Sequence, residues 1–132
     1  MEISRLAAIP LFAGLDERDL TAIAGAASEV EAAEGQTLAT QGDLGHALYA
    51  IESGTADVSS NRRKLRSLGP GDVFGETAVM ASGRRTATIV ATSPMRLIAL
   101  FKRDVWALER NAPEVLDRLL AQIAERQAAE RT

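Results

Sequence analysis

The chain has 132 residues and a mass of 14.0 kDa, with 46% hydrophobic and 25% charged side chains, the make-up of one folded globular unit rather than of a disordered or fibrous chain. A net charge of -3 and a pI near 5.2 argue against a nucleic-acid binder, which needs a basic surface to displace counterions from phosphates. With no cysteine, and with His46 as the only histidine, disulfide frameworks, thiolate zinc sites, cysteine nucleophiles and paired-imidazole metal centres are excluded by counting.

Taken in chain order, a helical N-terminus of about residues 1–28 comes first. Within it Asp16 precedes Leu20, Ile23, Ala24 and Ala27, the i, i+3, i+4, i+7 spacing of one buried stripe, so a capped helix is expected over about 16–27. Eight of the ten glycines then fall between Gly35 and Gly83, a density that suits tight turns and breaks helices. Short strands are expected at Gln36–Thr40, Ala47–Glu52, Thr55–Ser59 and Lys64–Leu68, followed by the β-branched run Thr86–Thr92. Pro94 marks a turn before a strand Met95–Phe101, in which Met95, Leu97, Ala99 and Phe101 alternate onto one face.

Many short strands must close on themselves to bury their apolar faces. The fold class expected is therefore mainly β with flanking helices: an antiparallel sandwich or a β-roll of jelly-roll type over about 29–101, with N-terminal helices, a short helix near Glu76 and two C-terminal helices over about 102–130. Val105, Trp106 and Leu108 suit the first of these, and Asn111 with Glu114 has capping-box spacing ahead of a second helix that carries Pro113 in its first turn. The apolar face of that second helix is Leu116, Leu119, Leu120 and Ile123, and the break at Asn111 to Pro113 is a candidate hinge. All of this reads as a single domain, 1–132.

The charges are unevenly spread. Residues 1–57 carry two basic and ten acidic side chains, residues 58–101 seven basic and two acidic, and the remainder six of each, so an anion belongs in the middle. Arg62, Arg63, Lys64 and Arg66 read as a solvated hairpin tip. The informative stretch is Leu68-Gly69-Pro70-Gly71-Asp72-Val73-Phe74-Gly75-Glu76-Thr77-Ala78-Val79-Met80, followed by Ala81-Ser82-Gly83-Arg84-Arg85-Thr86-Ala87-Thr88. Its glycines allow close backbone approach, a short helix starting near Glu76 would aim unbonded N–H groups at a phosphate, and an arginine supplies charge-assisted hydrogen bonds. A carboxylate beside an anion site makes sense where the ligand also presents hydroxyls, such as those of a ribose, for Glu76 to accept from. The P-loop pattern is absent, and Gly69, Gly71 and Gly75 are spaced one residue too far for the dinucleotide fingerprint.

Phe74-Gly75-Glu76-Thr77-Ala78 and Arg85-Thr86-Ala87 resemble the phosphate-binding cassette of the cyclic nucleotide-binding domain family, F-G-E-x-A followed by R-[AST]-A. The resemblance extends upstream through Gln41-Gly42-Asp43, Leu48-Tyr49-Ala50-Ile51 and Gly54 with Val58, and downstream through the final helices. It implies a regulatory module for cAMP or cGMP, with Glu76 accepting the ribose 2′-hydroxyl and Arg85, rather than the neighbouring Arg84, pairing with the cyclic phosphate. Backbone N–H groups of Ala78 and of Thr86 or Ala87 would complete the phosphate shell, Gly75 would admit the sugar, and Val58 would touch the base. A hydroxyl at Thr86 is one that, in this family, can hydrogen-bond the guanine 2-amino group. The second C-terminal helix would act as a lid through Leu116, Leu119, Leu120 and Ile123; packing of that face on the roll or on a second copy is the alternative.

The competing readings are a docking or dimerisation unit on the same fold, in which Glu76 and Arg85 merely pair with one another, and an enzyme such as a metal-dependent cupin, which one histidine does not support. No catalytic residue, metal or cofactor is expected. The partners expected are the cyclic nucleotide and either a homodimer mate or an effector, with neither nucleic acid nor membrane insertion. No apolar run approaches the roughly 20 residues that span a bilayer, and Glu2 and Arg5 near the start do not fit a signal peptide, so a cytoplasmic location is expected.

Overall fold

The computed structural model describes residues 2–42, 47–75 and 87–130. Asp16 takes the expected cap position: its carboxylate accepts the Asp19 N–H at 2.9 Å, and helix α2 runs Glu17–Ala26. Before it come helix α1 (Ile3–Ala7) and a 3-10 turn (Pro10–Phe12) that opens on Pro10, whose missing N–H would have had no partner in a first turn.

Eight strands follow among the described residues: β1 (Ser28–Ala32), β2 (Thr37–Ala39), β3 (Ala47–Ser53), β4 (Ala56–Ser60), β5 (Arg63–Leu68), β6 (Val73–Phe74), β7 (Thr88–Ala91) and β8 (Met95–Phe101). They form two antiparallel sheets in the orders β1-β8-β3-β6 and β2-β7-β4-β5, the expected roll. The six anticipated strands are present with ends shifted by at most two residues. β1 and β6 were not anticipated: β1 carries Glu29 and Glu31 on its exposed positions and β6 is only two residues long.

The first sheet is covered on both faces. Along β3, Leu48 and Ala50 point to a helical layer while Ile51 points into the roll, and in β8 Ile98 and Leu100 face the helices while Met95 and Leu97 face the roll. The run Leu97–Leu100 is apolar without a break because both faces of β8 are buried over that stretch, after the exposed Arg96. The helical layer consists of α1, the 3-10 turn, α2, α3 (Lys102–Asn111) and α4 (Pro113–Glu130). One correction applies to its end. Asn111 is the last residue of α3 and caps nothing; the cap falls to Ala112, whose carbonyl accepts the N–H groups of Val115 and Leu116 at 3.0 and 3.3 Å.

Two charged clusters tie the helices down. Arg5 of α1 donates through Nε and a terminal nitrogen to Glu52 of β3, at 2.8 and 2.7 Å, and also pairs with Glu29 of β1. Arg118 of α4 makes the same two-pronged contact with Asp19 of α2, its Nε lying 2.7 Å from Oδ2. These guanidinium hydrogen bonds hold the Asp19 and Glu52 carboxyls below their ordinary range, against the opposing effect of burial. A carboxyl whose pKa is lower folded than unfolded contributes stability above its unfolded value and loses it as the pH falls through the folded one. Urea midpoints are therefore expected to hold steady from about pH 7 to 5 as far as these groups are concerned, and to fall below about pH 4. Asp19→Asn should flatten that acid limb, and an unchanged limb would count against the assignment.

Candidate functional site

Burial inside the roll is uneven from one end to the other among the described residues. On the inner face of the second sheet, burial falls along β7 from Ala91 and Ile89 to the half-buried Ala87 just beyond the strand, and along β5 from the buried Leu68 to the exposed Arg66. On the first sheet Tyr49 is half-buried and stacks on Phe74, ring centroids 5.0 Å apart. Phe74 and Ala87, the residues of the inner cluster that flank the cassette in sequence, both lie at this end, the mouth of the roll. Gly75 has φ +84°, a left-handed conformation that favours glycine, so the chain can turn away from β6 there.

Three sequence-predicted ligand residues fall within this frame. Val58 of β4 is 5% exposed in the inner cluster with Phe74, and Ala87 packs against the same cluster. Gly75 follows directly on Phe74. Glu76, Ala78, Arg85 and Thr86 lie outside the described residues, as do the expected cassette helix, Arg84, His46 and Asp43.

Leu116, Leu119 and Ile123 are buried in the helical cluster with Leu11, Phe12, Leu20 and Ile23, and Leu120 packs against its edge. None of the four lines the inside of the roll. In this arrangement α4 rests on the 3-10 turn, α2 and α3, with Ala112 as the one residue between it and α3.

The register refines the solvated hairpin tip expected around Arg66. Arg66 pairs directly with Val58, and a bulge between Val58 and Ser59 puts Lys64, not Leu65, opposite Ser59. Because Leu68, two residues on, is buried inside the roll, Arg66 shares its face and stands at the mouth. The available signal was its even spacing from Leu68. The turn beyond it, Asn61 and Arg62 at φ +53° and +66°, is held by Gln41, whose side-chain amide accepts the Asn61 N–H at 2.8 Å and donates to its Oδ1 at 3.1 Å. Two clefts of roughly 450 Å³ flank α1 and are lined by such residues as Arg5, Glu52 and Gly71; none of the predicted ligand residues borders them. Among the described residues no group of carboxylates and histidines is arranged to hold a metal, and no helix is long and apolar enough to cross a membrane.

Comparison with known proteins converges on one family. A model of the cyclic nucleotide-binding domain matches residues 29–111. The chain is 40% identical over 98 residues to the cyclic AMP receptor protein of Thermus thermophilus, covering 70% of this chain and 45% of that protein. It is 37% identical over 100 residues to the cAMP-dependent protein kinase regulatory subunit of Yarrowia lipolytica, covering 76% and 24%. The chain thus spans less than half the length of either relative. Among solved structures, the N-terminal domain of a transcriptional regulator from Streptomyces coelicolor A3(2) superposes with a TM-score of 0.80 at 31% identity, covering 98% of this chain and 95% of that one.

Proposed function

The chain belongs to the cyclic nucleotide-binding domain family, and from that premise we propose that it takes up a cyclic nucleotide at the mouth of the roll and reports the binding through α4. The observation that supports this reading is the pairing of a complete cassette sequence with a roll in which the residues flanking the cassette, Phe74 and Ala87, both pack in the inner cluster with Val58. Glu76 accepts the ribose 2′-hydroxyl and Arg85 pairs with the cyclic phosphate, while N–H groups at Ala78 and at Thr86 or Ala87 complete the phosphate shell. Gly75 lets the sugar approach, and Val58 packs on the base. The domain binds and does not catalyse. It acts as one domain over its 132 residues, in the cytoplasm, on an effector that is either a further segment or a separate protein.

The names of the relatives favour cAMP. Two features of this chain bring cGMP into competition. Thr86 offers a hydroxyl for the guanine amino group, and Arg66 at the mouth carries donors that match guanine N7 and O6, whereas adenine places an amino donor where guanine has O6. α4 serves as the lid: the face of Leu116, Leu119, Leu120 and Ile123 would exchange its present packing for contact with the mouth, pivoting at Ala112.

Separate titrations of cAMP and cGMP into the purified chain by calorimetry test this. One site per chain is expected, and at a hundred times the dissociation constant the ligand should add about 2.7 kcal/mol to the unfolding free energy. Absence of heat and of stabilisation with both nucleotides would leave the docking or dimerisation reading in its place, which predicts association that rises with protein concentration and ignores nucleotide.

A further inference from the structure

Asp19 is the one charged side chain among the described residues that is buried, at 2% exposure. It sits in the first turn of α2, and its carboxylate is met by Arg118 of α4, 99 residues away in sequence, through two parallel N–H donors. The pair is lopsided: the Arg118 side chain remains 47% exposed while the Asp19 side chain is 2% exposed. A half-hydrated guanidinium tolerates losing its partner. A desolvated carboxylate does not, because Arg118 is the largest of the groups among the described residues that offset its charge, ahead of the backbone at the start of α2 and the nearby Arg18. Its ionised state in this arrangement is thus conditional on α4 lying where it does. Among the described residues the packing of α4 on the N-terminal helices is otherwise mainly apolar and non-directional, with Gln122 beside Gly14, and it would survive a small slide or rotation; a two-pronged contact fixes register.

We infer that the Asp19–Arg118 pair is a latch that holds α4 on the N-terminal helices and sets the nucleotide affinity of the domain by opposing release of the lid. The second half rests on the lid reading proposed above. If α4 must leave the helical layer for the ligand to be held at full strength, the apparent affinity is reduced by the fraction of molecules in which it has left. Loss of the latch raises that fraction, so it tightens binding while lowering stability. Simple packing damage would not tighten binding.

The chain has no cysteine, so Thr21→Cys and Ala121→Cys, both exposed, give a unique label pair on α2 and α4. Distances between spin labels and cAMP titrations would be measured on the otherwise native chain, Arg118→Gln, Asp19→Asn and the double variant. Without nucleotide, Arg118→Gln should lengthen and broaden the distance more than Asp19→Asn does. Adding Asp19→Asn to Arg118→Gln should shorten it again, since no buried charge is then left unpaired. Arg118→Gln should bind cAMP about tenfold more tightly despite a lower melting temperature. If Arg118→Gln does not fold, the comparison of Asp19→Asn with the native chain decides, tighter binding supporting the latch and unchanged or weaker binding overturning it. Native distance and native affinity in Arg118→Gln overturn the latch. A longer distance with unchanged cAMP affinity keeps the latch and overturns the lid reading instead.

Discussion

Replacing Arg85 by alanine is expected to weaken cyclic nucleotide binding by about 2–5 kcal/mol, a loss of tens-fold to thousands-fold in affinity. The cyclic phosphate carries a full charge on two free oxygens, and a planar guanidinium can serve both at once. Backbone N–H groups contribute only partial charge, so they cannot replace it. Arg85→Lys keeps the charge and loses the fork, so it should fall between the two. Arg84→Ala is the control. The two arginines are adjacent, any general attraction of the basic middle of the chain for anions would be weakened equally by either change, and only a specific pairing separates them. Calorimetry of the three variants with cAMP and cGMP checks this. Native affinity in Arg85→Ala, or an equal loss in Arg84→Ala, would show that the phosphate is held elsewhere.

The contrast between what was and was not legible in the sequence follows from the range of the interactions concerned. Strand and turn positions are short-range: Asp16 caps its helix with a bond to Asp19, and glycine density marks the roll, so both were readable directly. β1 was not, because Glu29 and Glu31 are poor strand residues and its one strand partner is β8, nearly 70 residues on. Asn111 had the right residue type for a cap and the wrong place, since Ala112 alone separates the two helices. The cassette is legible from its motif, a local feature, and Arg66's face from its even spacing to Leu68, whereas the bulge that puts Lys64 rather than Leu65 opposite Ser59 is announced by no residue in β5. The Asp19–Arg118 contact had no local signal at all: Asp19 reads as an ordinary first-turn acid and Arg118 as an exposed helix cation until the two ends of the chain are brought together.

Gly54→Ala is expected to lower the unfolding free energy by about 2–5 kcal/mol, the combined effect of a left-handed backbone without glycine and of overpacking. Gly54 has φ +93°, and a Cβ there would lie 2.4 Å from the Pro94 carbonyl oxygen and 2.8 Å from the Met95 Cα. Both neighbours are backbone, so neither can swing aside. The strain falls where the two crossovers between the sheets, β3 to β4 and β7 to β8, are stitched together: Thr55 N–H donates to Ser93 Oγ at 3.0 Å and Thr92 N–H to the Thr55 carbonyl at 2.9 Å. This is the closed end of the roll. Gly54 lies five residues along from Tyr49, which pairs with Phe74 at the mouth, a separation of about 16 Å in an extended strand. The variant should accordingly lose stability and keep its nucleotide affinity, the reverse of Arg85→Ala. Urea unfolding with and without saturating cAMP separates the two effects: at a hundred times the dissociation constant the nucleotide should restore about 2.7 kcal/mol in Gly54→Ala and much less at the same concentration in Arg85→Ala. If Gly54→Ala instead unfolds like the native chain, the two crossovers can move apart, and the closed end is not the rigid base against which the mouth is held open.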